Sequence, residues 1–185
     1  FVYPRGGAVE YIDSLLKNIP ETPIAFQEEL IEINLLRKEA ITNQRVIKYD
    51  RLISTMPFPE LLKKCGIAYE NVFSANKVLV LNIGFDRKGR DNHTSWLYIP
   101  SPEFIFYRVG FYDNIMQADR LSLYIEIGFP TDMEVRSGEF YLERILSDLR
   151  KSNIISDERV VDYEFVLMDP AYEHVNKQST EAVDK

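Results

Sequence analysis

Aromatic side chains and one arginine are concentrated between residues 96 and 112, and this region is the strongest candidate for ligand chemistry. An aromatic surface binds flat or apolar ligands, and a guanidinium beside it holds a negatively charged group. On an extended strand Trp96 and Tyr98 lie on the same face. By the same alternation Phe106 and Arg108 lie on the same face of the next predicted strand. A sheet with an ordinary aromatic core face is the alternative, and the residues alone leave both open. The full set comprises Trp96, Tyr98, Phe104, Phe106, Tyr107, Arg108 and Tyr112.

A second candidate is the aromatic-Pro-Arg-Gly-Gly turn at residues 3–7, which leads into a helix predicted over residues 8–19. The adjacent Gly6 and Gly7 permit positive φ angles and allow a flat ligand to approach the backbone closely. The first turn of the following helix offers N–H groups that lack intrahelical partners. An ordinary loop before a helix is the alternative interpretation.

The residue types that bind metals or act as nucleophiles are sparse in this chain. Its two histidines are His93 and His174, its one cysteine is Cys65, and no pair of them has metal-ligand spacing. No pattern marks Glu126 and Asp132 as an acid and base pair. The sequence therefore predicts no metal site, and it assigns no catalytic residue.

Composition narrows the class of protein further. The chain has 185 residues and 45% hydrophobic content. Its net charge of −7 argues against a nucleic-acid partner, because binding to phosphate requires clustered basic residues. A single cysteine excludes an internal disulfide and fits a reducing compartment. No apolar run is long enough to span a membrane, so we expect a cytoplasmic protein.

Hydrophobic periodicity predicts an α+β fold, with a largely antiparallel or mixed β-sheet and flanking helices. A hairpin turn is expected at residues 42–45, and the polar tail from Asp169 is expected to be loose. Helices are predicted over 8–19, 60–64 and 139–151. Strands are predicted over 24–34, 45–49, 51–55, 77–85, 95–99, 104–111, 121–129 and 160–167.

Several of these segments, in this order, resemble one family of proteins. The run Tyr3-Pro4-Arg5-Gly6-Gly7, its helix and the later segment Tyr49–Pro57 resemble the FAD-dependent amine oxidase and protoporphyrinogen oxidase family, which is similar to UDP-galactopyranose mutase. In that family the turn passes beside the flavin, a β-hairpin follows, and a D-x-x-I-x-T-x-P strand returns to the nucleotide-binding domain. Segments 96–100 and 106–111 resemble strands of its substrate domain.

The resemblance implies FAD as the cofactor and assigns roles to individual residues. The turn residues would lie against the flavin, the Leu30 backbone would contact the adenine, and the end of the returning strand would lie near the dinucleotide. The implied cofactor-binding residues are Pro4, Arg5, Gly6, Gly7, Leu30, Ser54, Thr55 and Pro57. The implied substrate-binding residues are Trp96, Tyr98, Tyr107 and Arg108.

One expected family motif does not occur in this chain. No G-x-G-x-x-G turn, which seats the FAD pyrophosphate on a helix N-terminus, is present. We therefore expect the middle of a longer flavoprotein, with residues 1–64 adjoining the FAD-binding domain and residues 65–185 forming the substrate domain. Its expected partners are a small-molecule substrate and the FAD-binding segment of the same polypeptide, and the isolated chain is expected to be inactive.

Three functions follow as hypotheses. The first is a segment of an FAD-dependent oxidoreductase that supplies the substrate side of the site and part of the flavin contact. The second is a segment of a sugar-nucleotide isomerase similar to UDP-galactopyranose mutase. The third is a binding domain without catalysis, which an extensive exposed aromatic patch would indicate.

Overall fold

The computed structural model describes residues 3–19, 22–69 and 72–183. The described chain forms two compact units, a larger one from residues 3–18 and 74–174 and a smaller one from residues 19–73 and 175–183. In chain order the helices are α1 (Val9–Leu16), α2 (Phe58–Lys64), α3 (Tyr112–Met116), α4 (Glu139–Lys151) and α5 (Lys177–Val183). The strands are β1 (Leu30–Asn34), β2 (Glu39–Thr42), β3 (Val46–Lys48), β4 (Asn76–Phe85), β5 (Trp96–Tyr98), β6 (Arg108–Phe111), β7 (Ser122–Pro130) and β8 (Val160–Met168).

The larger unit is built on a five-stranded sheet of order β5-β6-β7-β4-β8, in which every neighbouring pair is antiparallel. Alternation in β7 places Leu123, Ile125 and Ile127 on one face, where all three are buried. This face packs with α4 in a single core cluster. The predicted α+β fold is confirmed.

Helix α4 covers that face because its apolar residues repeat at helical spacing. Tyr141, Ile145 and Leu149 form one buried stripe, and the predicted helix over 139–151 matches the observed bounds. On the same helix the buried Asp148 accepts the backbone N–H of Ile105 at 2.9 Å and the Nε–H of Arg144 at 2.8 Å. The helix therefore also anchors the loop that leads into β6.

The opposite side of the five-stranded sheet carries the polar alternates of each strand, and we call it the polar face. Cross-strand register defines its members, because directly paired residues project to the same side. Its central positions are Trp96, Tyr98, Arg108, Gly110, Tyr124, Glu126, Val80 and Asn82.

The smaller unit contains an antiparallel sheet of order β1-β2-β3. Thr42 and Arg45 close the turn between β2 and β3 through the Thr42 N–H and the Arg45 carbonyl at 2.8 Å, as predicted. Strand β2 is absent from the predicted elements. The first strand begins at Leu30 and not at residue 24 as predicted, because the apolar alternation extends beyond the start of the hydrogen-bonded ladder.

The strand predicted over residues 51–55 is not formed. In the described chain this segment belongs to no sheet, and Ile53 is 90% exposed. A strand needs a neighbour to pair its backbone groups, and sequence alternation alone does not supply one. The short helices α3 and α5 were also missed, since seven residues or fewer carry little periodic signal.

The longest described helix, α4, has 13 residues, and none of the described helices has the length and apolar character that a membrane crossing requires.

Candidate functional site

An ion pair between adjacent strands lies at the centre of the polar face. Arg108 on β6 pairs in register with Glu126 on β7, and the Arg108 Nη2 donates to the Glu126 Oε1. The Glu126 side chain is 5% exposed and that of Arg108 is 22% exposed. A carboxylate this deeply buried requires a charged partner, because desolvation otherwise disfavours its ionised form.

Three tyrosine hydroxyls complete the hydrogen-bonding shell of this ion pair. The Tyr107 hydroxyl donates to the Glu126 Oε2 at 2.5 Å. The Tyr98 and Tyr172 hydroxyls accept from the Arg108 Nη1 at 3.1 Å and Nη2 at 3.2 Å, respectively. We call these five residues the arginine–tyrosine cluster. Within the described chain, neither the Tyr98 nor the Tyr172 hydroxyl donates to another protein group, so both retain a hydrogen for a ligand.

Further aromatic rings extend the cluster across the polar face. The Tyr124 ring lies over Gly110, where an added Cβ would be 1.9 Å from the ring. The Tyr112 ring is 5.1 Å from that of Tyr124, and its hydroxyl lies 3.3 Å from the Asn82 Oδ1. Glycine at position 110 is therefore required by the close approach of a ring.

Burial and hydrogen bonding set the protonation states of the cluster. Burial, followed by the hydrogen bond to Glu126, raises the pKa of Tyr107 above its ordinary value. Burial opposes the charge of Arg108, but its bonds to Glu126, Tyr98 and Tyr172 outweigh that effect and raise its pKa. Tyr107 therefore stays a hydrogen-bond donor, and Arg108 stays a cation.

The structure brings together the four residues predicted to bind substrate. Tyr107 and Arg108 contact Glu126, Tyr98 contacts Arg108, and Trp96 pairs with Gly110 on the same face as Tyr98. The interpretation that Phe106 shares a face with Arg108 is wrong. Strand β6 begins at Arg108, and Phe106 is buried in the core cluster, so the alternation does not extend back to it.

The predicted flavin-contacting turn is a genuine tight turn. The Gly7 N–H donates to the Pro4 carbonyl at 3.1 Å, and Gly7 has a φ of +91° with open space where a Cβ would be. A side chain at Gly7 would be strained, so the position requires glycine. Beside the turn lies a cavity of about 520 Å³, lined by Tyr3, Pro4, Arg5, Ile115, Met116 and Gln117. The role of this turn toward a flavin stays a prediction.

The other predicted cofactor residues lie in the smaller unit. Leu30 is half-buried at the start of β1, opposite Thr42. Ser54 and Thr55 are exposed in the segment that forms no strand, and Pro57 is the N-cap residue of α2. Helix α2 packs against β1, which connects the Leu30 and Pro57 regions. Their roles toward a cofactor stay predictions.

Two members of the arginine–tyrosine cluster, Glu126 and Tyr172, are absent from the residues predicted from the sequence to bind substrate or cofactor. Glu126 pairs with an arginine 18 positions away, and Tyr172 lies 64 positions from that arginine, so neither contact has a local signal. One feature could have indicated Glu126, since it is a carboxylate flanked by hydrophobic residues within a largely buried strand.

No cluster of three or more metal-ligating side chains occurs within residues 3–19, 22–69 and 72–183.

Solved structures of three proteins share this fold. A reduced UDP-galactopyranose mutase aligns with a TM-score of 0.78 at 19% identity, over 92% of this chain and 41% of that chain. A putative protoporphyrinogen oxidase from Exiguobacterium sp. 255-15 aligns with a TM-score of 0.68 at 15% identity, over 87% of this chain and 39% of that one. A protein from Pyrococcus furiosus aligns with a TM-score of 0.66 at 14% identity, over 88% and 43% of the two chains.

The resemblance inferred from the sequence is confirmed at the level of the fold, since the mutase and the putative oxidase are the two kinds of protein that it named. This chain spans about two fifths of the length of these structures. No family model matches the sequence. The curated proteins also contain no match to it.

Proposed function

We propose that this chain is part of an FAD-dependent oxidoreductase and supplies the substrate side of its site. The observation that carries the proposal is the arginine–tyrosine cluster, which holds three of the four predicted substrate residues. The fourth, Trp96, lies on the same sheet face as Tyr98. Its support comes from the fold shared with a putative protoporphyrinogen oxidase and from the Tyr-Pro-Arg-Gly-Gly resemblance. The proposed division into residues 1–64 beside an FAD-binding domain and residues 65–185 as substrate domain belongs to the same hypothesis.

In this proposal the chain binds and orients the substrate while the cofactor performs the redox step. FAD, when bound, supplies a hydride acceptor. Trp96 and Tyr98 would stack against the substrate, and the Tyr98 hydroxyl would donate a hydrogen bond to it. The turn of Pro4, Arg5, Gly6 and Gly7 would line the flavin, with Leu30, Ser54, Thr55 and Pro57 toward the dinucleotide.

The deciding experiment is the visible absorption spectrum of the natural protein that contains this chain, purified at its natural length. We expect flavin bands at about one cofactor per chain, as a single dinucleotide site requires. A colourless protein would contradict the proposal and favour a binding domain without catalysis. If the flavin bands are present, oxidation is shown by their bleaching on anaerobic addition of a substrate and by their recovery in air.

A second function is favoured by the alignment with UDP-galactopyranose mutase, which extends over 92% of this chain with a TM-score of 0.78. In this alternative the natural protein would be a sugar-nucleotide isomerase. The test is to incubate UDP-galactopyranose with the protein under reducing and under oxidising conditions and to measure the ring-contracted product. Turnover only when the protein is reduced would support the isomerase, and its absence would leave the oxidoreductase.

A further inference from the structure

The charge of Arg108 is already balanced by the protein. Its guanidinium pairs with the buried Glu126 carboxylate, and two tyrosine hydroxyls accept its other Nη hydrogen bonds. Its Nε is buried and has no hydrogen-bond partner among the described residues, but it lies beneath the surface that a ligand would meet. Arg108 therefore offers a ligand little of the positive field that a free arginine would.

The rest of the polar face does not supply another cation. Among the described strand positions of this face, Arg108 is the sole basic residue, whereas Glu126, Asp162 and Glu164 are acidic. A negatively charged ligand group at the cluster would thus meet a neutral ion pair and no second cation. The two further carboxylates lie on β8, which is separated from β6 by β7 and β4. What the cluster presents outward is aromatic surface and phenol hydroxyl groups.

We propose that Glu126 is a positioning residue that determines substrate specificity, because its pairing with Arg108 makes this surface select ligand groups without negative charge. This inference rests on the proposed function, since it concerns the surface assigned to substrate. Glu126 acts through its neighbours, holding Arg108 and Tyr107, while the exposed Tyr98 and Tyr172 make the contacts with the ligand. The substrate portion that binds here is aromatic or hydroxyl-bearing and carries no anion.

The test compares three small probes that share one ring and differ in charge, namely benzamide, benzoate and benzylammonium. Binding to the 185-residue chain is followed by NMR through the indole N–H of Trp96, the sole tryptophan of the sequence. The wild-type chain should bind benzamide at least about tenfold more tightly than benzoate, given the interaction energy of neighbouring charges.

The decisive variant is Glu126→Gln, which keeps the shape of the side chain but leaves the Arg108 charge unbalanced. It should bind benzoate about tenfold more tightly than wild type and leave benzamide within about twofold. Adding Arg108→Gln to this variant should abolish the gain. The matched control Glu164→Gln removes an exposed carboxylate of the same face that does not pair with Arg108, and it should change benzoate binding about twofold or less.

Three results of this experiment would overturn the inference. Equal weakening of all three probes by Glu126→Gln would mean that Glu126 is merely structural and would overturn the inference. A wild-type preference for benzoate would also overturn it. The same holds if none of the probes binds, provided that circular dichroism shows wild type and variant to be folded. The visible spectrum of the natural protein tests the cofactor separately, so the charge selectivity and the proposed function can fail independently.

Discussion

At the scale of single residues, the ion pair of Arg108 with Glu126 joins β6 to β7 at the centre of the polar face. Glu126→Ala would leave the Arg108 cation without its carboxylate and the Tyr107 hydroxyl without its acceptor. Because breaking a buried ion pair leaves an uncompensated charge, we expect the free energy of unfolding to fall by about 3 kcal/mol. Urea denaturation measures this quantity.

The control for this variant is Glu164→Ala, which removes an exposed carboxylate from the same sheet face. It should change the free energy of unfolding by about 0.5 kcal/mol or less. Equal effects of the two substitutions would contradict a stabilising role for the ion pair.

The buried Tyr107 hydroxyl makes stability depend on alkaline pH. Burial and the bond to Glu126 raise its pKa in the folded state above the ordinary value of 10.0. Above that pH the unfolded chain loses this proton while the folded chain keeps it, so the free energy of unfolding falls as pH rises. Tyr107→Phe should lessen this fall, as measured by urea denaturation at a series of pH values from 9 to 11. An unchanged alkaline slope would show that Tyr107 does not contribute to it.

At the scale of the elements, the packing of the Tyr124 ring of β7 across β6 depends on Gly110. An alanine Cβ there would lie 1.9 Å from the Tyr124 ring, so Gly110→Ala must displace that ring and its contact with Tyr112. We expect a loss of about 1–3 kcal/mol in the free energy of unfolding, the usual cost of overpacking. The matched control is Gly84→Ala on β4, where an added Cβ meets nothing within 4 Å, and comparable losses at both positions would contradict this account.

Helix α4 anchors the loop before β6 through Asp148, which is 1% exposed. Asp148→Ala would leave the Ile105 N–H and the Arg144 Nε–H without their acceptor. We expect a loss of about 2–3 kcal/mol in the free energy of unfolding, because hydrogen bonds to a charged group are lost inside the protein. The control Glu143→Ala, at an exposed position of the same helix, should change the free energy of unfolding little. Equal losses for the two variants in urea denaturation would contradict the anchoring role.

At the scale of the whole molecule, the two units differ in how much apolar surface they bury. Among the described residues, the smaller unit has only Ile33 and Ala40 as buried hydrophobic residues, whereas the larger unit holds all the others. Amides of β2 should therefore exchange with solvent at least about tenfold faster than those of β7, because local opening is easier where few apolar contacts oppose it. Native-state hydrogen exchange measures both, and equal protection would contradict the expectation.

A second prediction at this scale concerns whether the chain can bind FAD. The sequence contains no G-x-G-x-x-G turn, and the pyrophosphate of FAD needs such a seat. We predict that the 185-residue chain alone binds FAD weakly or not at all and is inactive. Titration of the chain with FAD, followed by quenching of flavin fluorescence, measures this, and tight stoichiometric binding would contradict it.

Much of the larger unit could be predicted from the sequence because its signals are local. Helix α4 was predicted with its observed bounds, and β4, β7 and β8 to within a residue at either end, since their apolar periodicity is set by neighbours in the chain. The turn after Thr42 and the strand after it were also recognised. The strand predicted over residues 51–55 does not form in the described chain, because a strand is defined by its partner and not by its own alternation.

The sequence by itself therefore determined the α+β class and the strands of the larger sheet, and it predicted four substrate-binding residues that the structure brings together. Only the tertiary structure decided that Arg108 is paired, since the register of β6 on β7 brings Glu126 to it across 18 positions of sequence. It also placed Tyr172 beside that arginine and Phe106 in the core. The physical reason is that periodicity specifies which face a side chain occupies within one strand, whereas charge balance depends on which strands pair and in what register.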